Sequence, residues 1–67
     1  LHYGLSELSP VNITLYDMEG RTMHHYNDNL EAGDYAHEIS LGGFLNGIYL
    51  CKLMTGNRIQ TLRIIKK

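Results

Sequence analysis

Val11-Asn12-Ile13-Thr14-Leu15-Tyr16, running into Asp17-Met18-Glu19-Gly20 and Arg21, is the stretch whose pattern decides the fold. Val11, Ile13 and Leu15 alternate with Asn12, Thr14 and Tyr16, which is the period of two of a half-buried strand. Asp17 at the start and Gly20 at the end of the next four residues suit a type I turn closed by a left-handed residue, because glycine reaches positive φ without a steric cost. Arg21 to Tyr26 is then expected to return as the other arm of a hairpin.

The same punctuation recurs in both directions. Leu1, Tyr3 and Leu5 alternate with His2 and Gly4, and the only proline, Pro10, precedes the second strand, where its missing N–H does least harm. Asn27-Asp28-Asn29 reads as a polar turn, and Glu31-Ala32-Gly33-Asp34 as a second break. From Tyr35 to Leu41 the odd positions Tyr35, His37, Ile39 and Leu41 share one face, until Gly42-Gly43 ends the run. Phe44-Leu45-Asn46-Gly47 is read as irregular. Ile48 to Met54 is the most apolar segment, with Tyr49, Cys51 and Leu53 on one face. Thr55-Gly56-Asn57-Arg58 fits a tight turn in which Gly56 and Asn57 tolerate positive φ. Arg58 to Lys66 closes the chain as a strand with Leu62 and Ile64 as expected core residues. About six to seven short strands at even spacing predict an all-β, small antiparallel β-sandwich, since strands this close in sequence lack the dozen or more residues of a parallel crossover.

Composition narrows the function. The 67 residues allow one domain, and 43% hydrophobic against 19% charged residues is the profile of a folded chain. A net charge of −1 argues against a nucleic-acid partner. The single cysteine, Cys51, excludes an internal disulfide. No apolar run approaches the roughly 18–20 residues of a membrane span. Leu1 to Leu5 has neither the basic start nor the apolar core of a signal peptide, and no methionine opens the chain. The chain is therefore read as a piece of a longer protein whose transport signals lie elsewhere. All seven acidic residues lie between Glu7 and Glu38, and five of the six basic ones from Lys52 onward. Cross-strand attraction between early and late strands is the first explanation. A basic C-terminal edge, Arg63-Lys66-Lys67, presented to a partner is the second.

No catalytic, metal or cofactor chemistry emerges. His2, His24, His25 and His37 do not show ligand spacing, and His24 and His25 are neighbours on a strand and so face opposite ways. They are expected to be exposed strand histidines. Cys51 lies in the most apolar segment and is expected to behave as a small buried hydrophobe, with Lys52 directed to the other face. Ser6, Ser9 and Ser40 form no nucleophile elbow. Asn12-Ile13-Thr14 matches a glycosylation triplet, but such triplets arise often by chance. Tyr3, Tyr35 and Tyr49 fall in register with apolar neighbours. Tyr16 and Tyr26 fall on the more polar faces and are the two candidates for an exposed aromatic pair that could stack on a sugar.

Taken in order, these pieces resemble one family. Ile13-Thr14-Leu15-Tyr16-Asp17 with Met18-Glu19-Gly20-Arg21 resembles the Tyr-Asp-x-x-Gly hairpin of the C-terminal sorting domains of the type IX (Por) secretion system. Leu30-Glu31-Ala32-Gly33-Asp34-Tyr35 is similar to its next step. Ile39-Ser40-Leu41 with Leu45-Asn46-Gly47-Ile48-Tyr49-Leu50, and Gly56 through Gln60-Thr61-Leu62-Arg63-Ile64-Ile65-Lys66-Lys67, are similar to its last two. The resemblance implies an immunoglobulin-like sandwich at the end of a larger cargo protein. Such cargo crosses the periplasm and is recognised at the outer membrane by the type IX machinery. It reaches the cell surface or the medium, often after cleavage by a sortase-like peptidase. Carried over by position, the recognition residues would be Leu45, Gly47, Tyr49, Lys66 and Lys67, and the structural turn residues Asp17, Gly20, Gly33 and Gly56. The family's usual opening Asn-Pro motif and first strand are missing here, so the chain is expected to start inside the domain, with an exposed edge open to an edge-strand dimer. The alternative is a structural or carbohydrate-binding immunoglobulin-like appendage of a secreted hydrolase.

Overall fold

The computed structural model describes every residue except Asn57, so the positive φ expected there lies outside the described residues. Six strands follow one another: β1 (His2–Leu5), β2 (Ser9–Asp17), β3 (Thr22–Leu30), β4 (Gly33–Ala36), β5 (Gly47–Thr55) and β6 (Arg58–Lys66). They form a two-stranded sheet, β1-β4, and a four-stranded sheet, β3-β2-β5-β6, antiparallel throughout. This is the all-β, antiparallel, sandwich-like arrangement that the alternation predicts.

The core follows from the quoted stretch. Val11, Ile13 and Leu15 on β2 are fully buried, because β2 is paired on both edges and its apolar face lies under the smaller sheet. Tyr49, Cys51 and Leu53 of β5 lie beside them, in register with Asp17, Leu15 and Ile13. Leu5 of β1 completes the buried set, and Tyr3, Tyr35, Ile39, Leu41, Phe44 and Ile64 pack around it half-buried. Each fully buried aliphatic side chain contributes roughly 1.5–3 kcal/mol. For a chain this short, a handful of such residues is the main stabilising term. Tyr3 and Tyr35, directly paired in β1 and β4, stack with centroids 5.7 Å apart.

Four expectations need correction. Asn27-Asp28-Asn29 is no turn but the middle of β3, opposite Asn12, Val11 and Pro10. Pairing along the whole of β2 outweighs the local turn preference of asparagine, because strand propensity depends on context. Pro10 lies inside β2 and not before it, opposite Asn29 and one residue before the β5 ladder begins at Val11, so no β5 bond is lost. The strand expected over Tyr35–Leu41 ends at Ala36. Beyond it His37 still exchanges both backbone hydrogen bonds with Leu1, and Ile39 and Leu41 keep their alternate inward placement outside any strand. Leu62 is not a core residue: it stands opposite buried Cys51 yet is 44% exposed, because the smaller sheet does not extend over β6.

Candidate functional site

The residues carried over from the resemblance are scattered through the sequence, and the fold gathers most of them at one end. The gathering starts with the β2–β3 turn. Gly20 has φ of 84°, its N–H donates to the Asp17 carbonyl at 3.1 Å, and the Asp17 N–H donates to the Arg21 carbonyl at 3.0 Å. The Asp17 carboxylate locks this turn. Its Oδ1 accepts the backbone N–H groups of Glu19 and Arg21, each at 2.9 Å, and its Oδ2 accepts Arg21 Nε at 2.7 Å. The backbone N–H of Arg21, ahead of the guanidinium, holds the Asp17 carboxyl below the ordinary carboxylate range.

Asp17 stands opposite Tyr49, and through it the turn meets the second group. Gly47 opens β5 with φ of 155°, an arrangement an L-residue rarely adopts. Two residues on, Tyr49 buries its ring against Phe44, with centroids 5.6 Å apart. Its hydroxyl donates to the Leu45 carbonyl at 2.5 Å. Lys66, paired with Gly47 across β5–β6, donates from Nζ to the Phe44 carbonyl. The loop between Leu41 and Gly47 is thus tied by two side chains at successive carbonyls, and by the Phe44 N–H donating to the Leu41 carbonyl at 3.0 Å. The tied loop leaves Leu45 84% exposed at its tip. Between turn and loop lies a shallow cleft lined by Met18, Glu19, Arg21, Phe44, Leu45 and Gly47, among others.

Of the remaining carried-over residues, Lys67 borders this end and the two glycines sit apart. Lys67 follows the end of β6 and is exposed. Gly33, paired with Leu5, and Gly56, whose N–H donates to the Pro10 carbonyl at 3.2 Å, lie at the far end of the domain. Phe44 and Arg21 complete the cluster, though spacing did not single them out. The aromatic Phe44 in a glycine-rich loop was the available signal.

The other candidates resolve individually. Cys51 is buried, and burial pushes its thiol up. Tyr16, opposite Leu50, is on the outer face of the large sheet, whereas Tyr26, opposite Ile13, is on the inner face against the His37 ring. The two tyrosines therefore share no surface on which a sugar could stack. The histidines are not uniformly exposed, contrary to expectation. His24 and His37 are half-buried with Nε2 atoms 3.2 Å apart, while His25 turns the other way to Asn12 Oδ1 at 2.9 Å. Burial, then the charge of His24, lowers the His37 pKa. Among the described residues no three His, Cys, Asp or Glu side chains converge on a point. The expected attraction between early acidic and late basic strands is not formed either. Among the described residues salt bridges join only Arg21 to Asp17 and Glu19, within the hairpin turn.

The family described as the secretion system C-terminal sorting domain matches residues 2–67, and the chain belongs to that family, the sorting tails of type IX secretion. Neither a curated protein nor a solved structure matches the chain.

Proposed function

We propose that this domain is the part of a larger secreted or cell-surface protein that the type IX machinery reads at the outer membrane, and that the reading surface is the end carrying Leu45, Gly47, Tyr49 and Lys66. In this reading the cargo lies N-terminal to the domain. It passes through the periplasm and is delivered to the cell surface or medium, where a sortase-like peptidase can remove the tail. The domain itself is non-catalytic and works as a rigid label.

The observation that carries the proposal is the tied loop. Tyr49 and Lys66 spend their polar ends on the Leu45 and Phe44 carbonyls. A large apolar side chain held out on a fixed backbone suits recognition, because little ordering entropy remains to be lost on binding. Lys67 sets a positive charge just beyond.

Export of a periplasmic fluorescent reporter fused ahead of residues 1–67, in a host with the type IX machinery, tests it. The parent fusion should appear outside the cell. Leu45→Asp and Lys66→Ala, each checked for folding by circular dichroism, should leave it in the periplasm. Export of both variants at the parent level would reject this surface, and retention of a folded parent fusion would reject the sorting role.

A further inference from the structure

We propose that the free edge of β6 is a docking strand for an extended segment of a partner protein that alternates apolar with acidic side chains. This goes beyond the sorting proposal and does not depend on it.

Among the described residues β6 ends the four-stranded sheet and has β5 as its one neighbour. Its register with β5 runs unbroken from Thr55↔Arg58 to Gly47↔Lys66. Edge strands in folded proteins are ordinarily blunted by a bulge, a proline, shortness or charge, since their unpaired backbone groups invite another chain. β6 is nine residues long, without proline or bulge, so charge is its single safeguard. The opposite edge strand, β3, is polar through Asn27-Asp28-Asn29 and pairs with β2 across a register shift at Leu15/Tyr16.

The charge on β6 is all of one sign. Arg58, Arg63 and Lys66 lie on the strand and Lys67 follows it, and no salt bridge reaches any of the four among the described residues. Their cross-strand partners on β5 are Thr55, Leu50 and Gly47, so the fold supplies no carboxylate. This selects the occupant. A second β6 strand brings the same cations and no carboxylate, so two copies meeting along this edge gain no ion pair and add repulsion. A strand bearing carboxylates on its outer side meets Arg63 there, while Arg58 and Lys66 share the inner face with Leu62 and Ile64 and lie toward the two ends of the groove side.

The apolar half of the requirement comes from the strand's two faces. On the inner face, half-exposed Leu62 and Ile64 border an open groove whose far wall is Ile39 and Leu41. On the outer face Ile59 and Ile65 are 60% and 54% exposed. A strand added along β6 would form main-chain hydrogen bonds and send alternate side chains into the groove, while its other side meets Arg63.

The test uses the 67-residue chain and a labelled peptide alternating valine with glutamate, matched in length to β6, against one alternating valine with lysine. Amide exchange should slow at β6 residues and stay unchanged in β3. The glutamate peptide should bind at least roughly tenfold more tightly than the lysine peptide, with affinity falling as salt rises. Arg63→Glu, an exposed substitution whose fold is checked by thermal melting, should narrow or reverse that preference. The proposal is overturned by protection confined to β3, by equal affinity for the two peptides, or by no binding at millimolar peptide. Sedimentation showing that the chain dimerises through β6 without peptide would overturn it in favour of a second copy.

Discussion

Replacing Gly47 with alanine separates backbone strain from packing at the recognition end. Gly47 has φ of 155°, and a Cβ built there meets no heavy atom within 4 Å. Steric overlap with neighbours therefore contributes nothing. What remains is the cost of holding an L-residue in a region that is essentially restricted to glycine, about 1–3 kcal/mol. Alanine also restricts the unfolded chain, which offsets about 0.4–1 kcal/mol. A net loss of about 1.5 kcal/mol is expected, against a total stability of roughly 3–10 kcal/mol for a domain of this size. That corresponds to a fall in Tm of roughly 6–12 °C. The chain is short enough for chemical synthesis, which permits the mirror-image control. D-alanine takes positive φ freely and retains the unfolded-state gain, so it should stabilise by about 0.4–1 kcal/mol. Thermal melts of the three synthetic chains by circular dichroism at one pH measure both. An L-alanine chain melting with the parent, or a D-alanine chain no more stable than the L-alanine one, would refute the backbone account of this glycine.

Three further outcomes follow from the geometry. Tyr49→Phe keeps the ring against Phe44 and removes only the hydrogen bond to the Leu45 carbonyl. It should cost about 0.5–1.5 kcal/mol in denaturant melts and speed amide exchange in the Leu41–Gly47 loop. Ile13→Ala, at a fully buried position, should cost about 2–5 kcal/mol, whereas Leu62→Thr, at a half-exposed one, should stay within about 1 kcal/mol. Equal losses at the two sites would contradict the placement of the core. Stability should also fall in acid in two steps. The His37 pKa is lowered in the fold from its ordinary 6.5, so the unfolded state binds the proton more readily. The stability it contributes is complete above about pH 6.5 and is lost as pH falls through the lower folded value. The Asp17 carboxyl, held below 3.8 chiefly by the Arg21 N–H, gives the second loss at pH below that value. Melting temperatures from pH 8 to pH 2 should show both steps, and His37→Gln should remove the upper one. A flat profile between pH 8 and 5 would rule out the histidine contribution.

The alternation of Val11, Ile13 and Leu15, and of Tyr49, Cys51 and Leu53, was enough to specify two strands and which face each buries. The side-chain period of a strand leaves no other way to hide those residues. Asp17 and Gly20 specified their turn for an equally local reason, since one residue must take positive φ and the other caps the backbone within four positions. The family resemblance was legible because its pieces keep their order along the chain. Neighbours far away in sequence decided the rest. Asn27-Asp28-Asn29 has turn chemistry of its own and became strand because β2 lies alongside it. Leu62 has the right parity for the core and stays half-exposed because no strand of the smaller sheet reaches it. His24 and His37, thirteen residues apart, meet only because β3 and the segment after β4 face each other across the sandwich. Lys66 reaches the Phe44 carbonyl because β6 returns antiparallel to β5 and brings the chain's last turn of residues beside its middle loop. Local periodicity determines what each strand buries, whereas the lateral extent of the covering sheet, a property of the assembled fold, determines which of those strands are left open to another molecule.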